Sequence, residues 1–141
     1  MILSYDSELE MRESIFRNIY ARTNGGIWLQ TANAMIYDSS FFNCTALVQG
    51  GGISAIGSHI TMSNTVMHEM NAESGAAIFV QLGTVLDISV SQFLQCNSDI
   101  GGLIDLSNNS ILNMHSSVFD EFSGSAIIAD NASVELDDVT I

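Results

Sequence analysis

The chain has 141 residues, 47% of them apolar, and sets sixteen acidic side chains against three arginines and no lysine, a formal charge of −13. That charge argues against the phosphate backbone of nucleic acids and anionic membrane surfaces as partners. No apolar run approaches the roughly 18 residues of a membrane span. The length suits one domain over residues 1–141, with no Pro and no Ser/Gly-rich linker to divide it.

The opening stretch MILSYDSELEMRESIF is acidic and lacks a basic region followed by an apolar run, so it does not read as a signal peptide. The first predicted strand carries Leu9 and Met11 and leads to Phe16. A small-residue step, NGGI at 24–27, then opens a second strand with Ile27 and Leu29, and a turn at Asn33 follows.

The same order returns unit by unit. Met35 and Tyr37 lead to Phe42, followed by GGGI (50–53), Ile53 and Ala55, and a turn at Gly57. Ile60 and Met62 lead to Met67, GAAI (75–78), Ile78 and Val80, and Gly83. Leu86 and Ile88 lead to Phe93, GGLI (101–104), Ile104 and Leu106, and Asn109. Leu112 and Met114 lead to Phe119, GSAI (124–127), Ile127 and Ala129, and Asn131, before Val134, Leu136 and Ile141. The markers Phe16, Phe42, Met67, Phe93, Phe119 and Ile141 lie 26, 25, 26, 26 and 22 residues apart.

Between the inward pairs stand Glu10, Thr61, Asp87, Asn113 and Glu135, with Ile36 as the exception. This is period-two alternation held at one phase in every unit. No unit can bury its apolar face alone, so stacking is the physical solution. The pattern predicts an all-β, right-handed, single-stranded parallel β-helix of about five coils of 25–26 residues. Handedness comes from the general preference of parallel crossovers. A leucine-rich repeat fits LIDLSNNSIL (103–112), but the equivalent stretches do not keep its leucines.

The GGxI step alternating with a Phe-centred strand resembles the GGAI and FxxN repeats of chlamydial-type polymorphic outer membrane proteins, within the broad pectin-lyase-like class. The likeness runs from about Leu9 to Ile141. Three residues after the marker stand Ile19, Thr45, Met70, Cys96 and Phe122, with Asn18, Asn43, Asn71 and Asn97 nearby. The resemblance implies extracellular or cell-surface display and an adhesin-like or scaffold role. It also implies carbohydrate or host cell-surface protein as partner. The repeat begins and stops in mid-ladder, which reads as a fragment of a longer solenoid whose ends meet flanking domains or one another.

A catalytic reading finds little to stand on. The only permanent cations are Arg12, Arg17 and Arg22, and the register puts Arg12 over Asp38 as a surface pair. No catalytic residue or resident cofactor is assigned, and a non-catalytic role is preferred to a fragment of a polysaccharide-active enzyme. The candidate site is an outward face with Asp87, Asn113 and Glu135 in one file and Ser89, His115 and Asp137 in the next. Oxygen ligands on neighbouring rungs suit Ca²⁺, which makes a Ca²⁺- or carbohydrate-binding module the third reading. Its ordinary alternative is a solvated polar face.

His59 reads as isolated in a turn, and His68-Glu69 as a corner pair too small for a metal site. Cys44 and Cys96 fall two coils apart, beyond disulfide reach, and read as buried thiols. Met35, Met62, Met67 and Met114 read as core filler. Trp28 points outward. Asn43, Asn108 and Asn131 fit the glycosylation acceptor pattern, which arises readily in so Asn- and Ser-rich a chain.

Overall fold

A computed structural model describes all 141 residues. It is all-β, with twenty strands in three parallel sheets and no helix. The first sheet stacks Ile2–Tyr5, Ile27–Gln30, Ile53–Ile56, Ile78–Gln81, Asn97–Ser107 and Ser123–Asp130, joined at one side by the short strands Tyr20–Ala21, Thr45–Ala46 and Asn71–Ala72. The second stacks Glu8–Arg12, Asn33–Tyr37, His59–Ser63, Val85–Ser89, Ile111–His115 and Ser133–Asp137. The third stacks Ile15–Arg17, Ser40–Phe42, Val66–His68, Gln92–Leu94 and Val118–Asp120. The chain is a parallel β-solenoid of about five turns.

The interior is one continuous cluster of 31 buried apolar residues. Its rungs are vertical columns of like side chains: Ile27, Ile53, Ile78 and Ile104 on the first sheet, and Ile60, Leu86 and Leu112 on the second. All are buried, and each contributes about 1.5–3 kcal/mol relative to exposure.

The second coil corrects the register expected from sequence. Phe16 pairs with Phe41, which pairs with Met67, so Phe41 is the interior rung and Phe42 faces outward. Likewise Ala34 and Ile36 occupy the inward places expected for Met35 and Tyr37. Ile36 is fully buried, whereas Met35 is exposed. A one-residue slip in the strands Asn33–Tyr37 and Ser40–Phe42 moves all their side chains to the opposite face, because side chains alternate along a strand. Ile36 is therefore no exception to the alternation. Tyr37 now lies over Arg12, whose guanidinium stands 4.7 Å from the ring centre; the expected pairing with Asp38 is not made. Asp38 instead accepts from Asn64 Nδ2 at 2.7 Å.

Each coil turns through corners built on residues in the left-handed region. Between the second and third sheets these are Glu13, Asp38, Asn64, Val90, Ser116 and Asp138. Beyond the third sheet they are Asn18, Asn43, Glu69, Gln95 and Glu121. In the second coil the turn into the second sheet is made at Thr31, and Asn33, expected there, already starts the strand.

The residue after each such corner explains why the chain is so rich in Ser and Thr. Ser39, Thr65, Ser91 and Ser117 are buried, and each hydroxyl donates to the carbonyl two residues back. Three of them also accept an amide N–H from the coil below: Ser39 from Ser14, Ser91 from Thr65 and Ser117 from Ser91. The ladder thus gives an acceptor to corner amides that would otherwise be unpaired, while the carbonyls it donates to each already accept a backbone amide. At the next corner Cys44 and Cys96 play the same part, each pointing its thiol at the carbonyl two residues back. Both are buried free thiols, separated by Met70 in one column. The Gly-Gly step has its own reason: a Cβ on Gly51 would run into the backbone oxygen of Ala76 one coil above.

Candidate ligand-binding face

The second sheet turns its outward side chains into three files. Register sets Thr61 beside Asp87, Asp87 beside Asn113 and Asn113 beside Glu135. The next file runs Ser63, Ser89, His115, Asp137, and the outer one begins Glu8, Asn33, His59, Val85. The two files expected from sequence, Asp87–Asn113–Glu135 and Ser89–His115–Asp137, are therefore formed in that register. Adjacent rungs stand about 4.8 Å apart.

Asp87 is the centre of this face. Its Oδ1 accepts from Asn113 Nδ2 at 2.7 Å, and its Oδ2 lies 2.7 Å from His59 Nε2. Partial burial works to raise its pKa. The hydrogen bonds from Asn113 and His59, with the charges of His59 and His115, outweigh that and hold the carboxyl below its usual value. One coil on, His115 Nδ1 lies 3.4 Å from Asp137 Oδ2.

These side chains border a hollow of about 380 Å³ lined by Thr61, Asp87, Ser89, Asn113, His115 and Glu135, with Ile88 its one apolar member. A second hollow of about 290 Å³, lined by Glu8, Asn33, Met35, His59 and Thr61 among others, adjoins it at Thr61. The two share one sheet face, and the His59–Asp87 contact crosses the boundary between them.

The face gathers four of the five candidate residues, Asp87, Asn113, His115 and Glu135, round one hollow, with Asp137 behind His115. No group of three or more His, Cys, Asp and Glu side chains stands close enough to hold a metal ion. Asp87 and Glu135 stand two rungs apart, about 10 Å at strand spacing, with Asn113 between them. Sequence reading missed His59, which starts a strand of the second sheet and does not lie in a turn. Its signal was faint: Asp87 lies 28 residues on, one coil plus the two-residue step to the next outward position, a diagonal that a vertical register does not show.

Elsewhere the outward side chains are ordinary. Trp28 is half-buried on the first sheet between Leu3 and Ser54. His68 lies tilted against Phe42, with ring centres 5.8 Å apart and planes at 59°, and only approaches Glu69 at 3.9 Å. Asn43 donates to Asn18, and Asn97 to Asn71, forming amide ladders along the corners.

Fold and face together define a parallel β-solenoid with a polar, acceptor-rich groove on one sheet. Compared with known proteins, the chain matches no family model, no curated protein and no solved structure.

Proposed function

We propose that the chain is a non-catalytic, surface-displayed β-solenoid segment that works as an adhesin-like element or scaffold. The observation that carries this reading is the unbroken stacking of all three sheets from the first coil to the last. Continuous ladders over a continuous core make a stiff support on which outward side chains are held in fixed files. A strongly acidic exterior keeps such a surface soluble and free of nucleic acid. The likeness of the GGxI and Phe markers to polymorphic outer membrane protein repeats, and to the pectin-lyase-like class, supports display outside the cell.

Two measurements test it. Protease shaving of intact source cells should remove the chain, whereas protection until lysis overturns display. The purified chain should leave polygalacturonate, alginate and neutral glucans uncut. The appearance of new reducing ends or unsaturated products overturns the non-catalytic reading in favour of a piece of a polysaccharide-active enzyme.

A second reading, a Ca²⁺- or carbohydrate-binding module, is favoured by the hollow between Thr61 and Glu135. Its test is the thermal midpoint in EDTA and then in excess Ca²⁺. An upward shift that is lost in Glu135→Gln and Asp137→Asn supports ion binding. An unchanged midpoint removes Ca²⁺ from the account.

A further inference from the structure

We infer that the groove on the second sheet binds a linear oligosaccharide bearing protonated amines, of the β-linked glucosamine type. This deepens the carbohydrate-binding reading of the same face and does not depend on where the chain is displayed.

The first support is the chemistry of the lining. Two adjoining hollows present Glu8, Asp87 and Glu135 as acceptors, with Asp137 beside them, and no Lys or Arg lines either hollow. An anionic uronate chain would meet net repulsion from these carboxylates, offset only by the imidazoles of His59 and His115, while amines would meet carboxylates able to form charge-assisted hydrogen bonds. The second support is unspent hydrogen-bonding capacity. The hydroxyls of Thr61 and Ser89 line the larger hollow without a partner among the chain's side-chain hydrogen bonds, and Glu135 is likewise unpaired. Asn113 and His59, in contrast, hold Asp87 in place by its two oxygens. The face thus combines one pre-set carboxylate with free groups on neighbouring rungs.

The third support concerns the backbone. The strands under the groove pair on both sides with their neighbouring coils, so their amides and carbonyls are committed to the ladder. A peptide laid on this face would find no main-chain partners and would leave its own amides unpaired, which extended peptide recognition at a sheet edge avoids. A sugar chain carries hydroxyl and amine groups on every ring and needs only side chains. The file Thr61, Asp87, Asn113, Glu135 offers one such side chain per rung, at about 4.8 Å intervals.

The experiment is calorimetric titration of the purified chain with a hexamer of glucosamine, at a pH where its amines are protonated, in low and then moderate salt. Comparison ligands are the fully N-acetylated hexamer, a galacturonate hexamer and an oligolysine of equal charge. The expected result is saturable binding of the glucosamine hexamer, weakened by salt. Affinity should fall about tenfold in Glu135→Gln, the loss of roughly one charge-assisted contact, and stay unchanged in Glu121→Gln, which removes a charge on another face. Glu135 is exposed, so both variants should fold as the parent does, checked by circular dichroism. No binding of the glucosamine hexamer overturns the proposal. Equal binding of the N-acetylated hexamer or of oligolysine, or equal losses in the two variants, overturns it as well. None of these outcomes bears on display, which is read on intact cells.

Discussion

Phe41 lies flat on Phe16, with ring centres 4.7 Å apart and planes 9° from parallel, while its neighbour Phe42 sits outside under Arg17. The adjacent pair therefore makes a sharp comparison. Phe41→Ala removes a fully buried ring from the column that continues through Met67 to Phe93 and should cost about 3–5 kcal/mol. Phe42→Ala loses the contacts of Arg17, 5.1 Å from the ring centroid, and of His68, on a ring that is only partly buried, and should cost about 1 kcal/mol. Urea unfolding of the two variants reads the difference. Equal losses would show that the second coil follows the other register.

The same pair shows where sequence reading reaches its limit. The solenoid, its repeat and the first-sheet rungs were legible, because identical spacing recurred in two independent markers. In SSFFN either phenylalanine satisfies the pattern, and the wrong choice also placed Met35 and Tyr37 inside. Ile36 held the correction: a β-branched residue in a supposedly outward place was the trace of a shorter coil. The files Asp87–Asn113–Glu135 and Ser89–His115–Asp137 could be read because they lie above the slip: the coils from Met67 to Phe119 share one length, and the last, four residues shorter, keeps the same face because four is even. The hydroxyl ladder could not, since a Ser that caps a corner and a Ser that faces water look alike until the hydrogen bonds are seen.

That ladder gives the second prediction. Ser91 Oγ donates to the Ser89 carbonyl at 2.9 Å and accepts the Thr65 amide at 3.3 Å, in a site that is 1% exposed. Ser91→Ala leaves the buried Thr65 amide without an acceptor, while the Ser89 carbonyl keeps the amide of Asn64, and should cost about 1–3 kcal/mol. Ser91→Thr keeps the hydroxyl, as Thr65 does in the same column, and should lose much less. Chemical denaturation of both variants checks this. An alanine variant as stable as the threonine one would show that water satisfies the corner.

Cys96 supplies an alkaline test. Desolvation by burial pushes its thiol up to about 11 from the 9.0 of a free group, against weaker opposing backbone hydrogen bonds. A raised folded pKa means that folding favours the neutral thiol. Its contribution is intact below the unfolded value and is lost as pH rises from about 9 toward 11. The two-unit difference amounts to roughly 3 kcal/mol at the upper end. Cys96→Ser, or Cys96→Ala where the hydroxyl proves disruptive, should unfold with less dependence on pH over that window. The native thiol should also resist alkylation at pH 8 and react once urea opens the chain. Rapid alkylation of the folded protein at that site would place it outside the core.

Asp87 titrates in the opposite sense. Its folded pKa lies below the ordinary 3.8 because the hydrogen bonds from Asn113 and His59 overcome the upward push of partial burial. Folding then favours the carboxylate. The gain is complete above the unfolded value and disappears as pH falls through the folded one. With a charge of −13, general protonation of carboxylates works the other way in mild acid by relieving repulsion. The two effects separate in a difference curve of unfolding free energy, parent against Asp87→Asn, followed from pH 7 to pH 2. The parent should be modestly the more stable at neutral pH, water screening a carboxylate that is partly exposed. Its advantage should hold from about pH 5 to about pH 4 and shrink below that. A difference that stays flat to pH 2 would mean that Asp87 gains nothing from His59 and Asn113. The groove would then lack its fixed carboxylate.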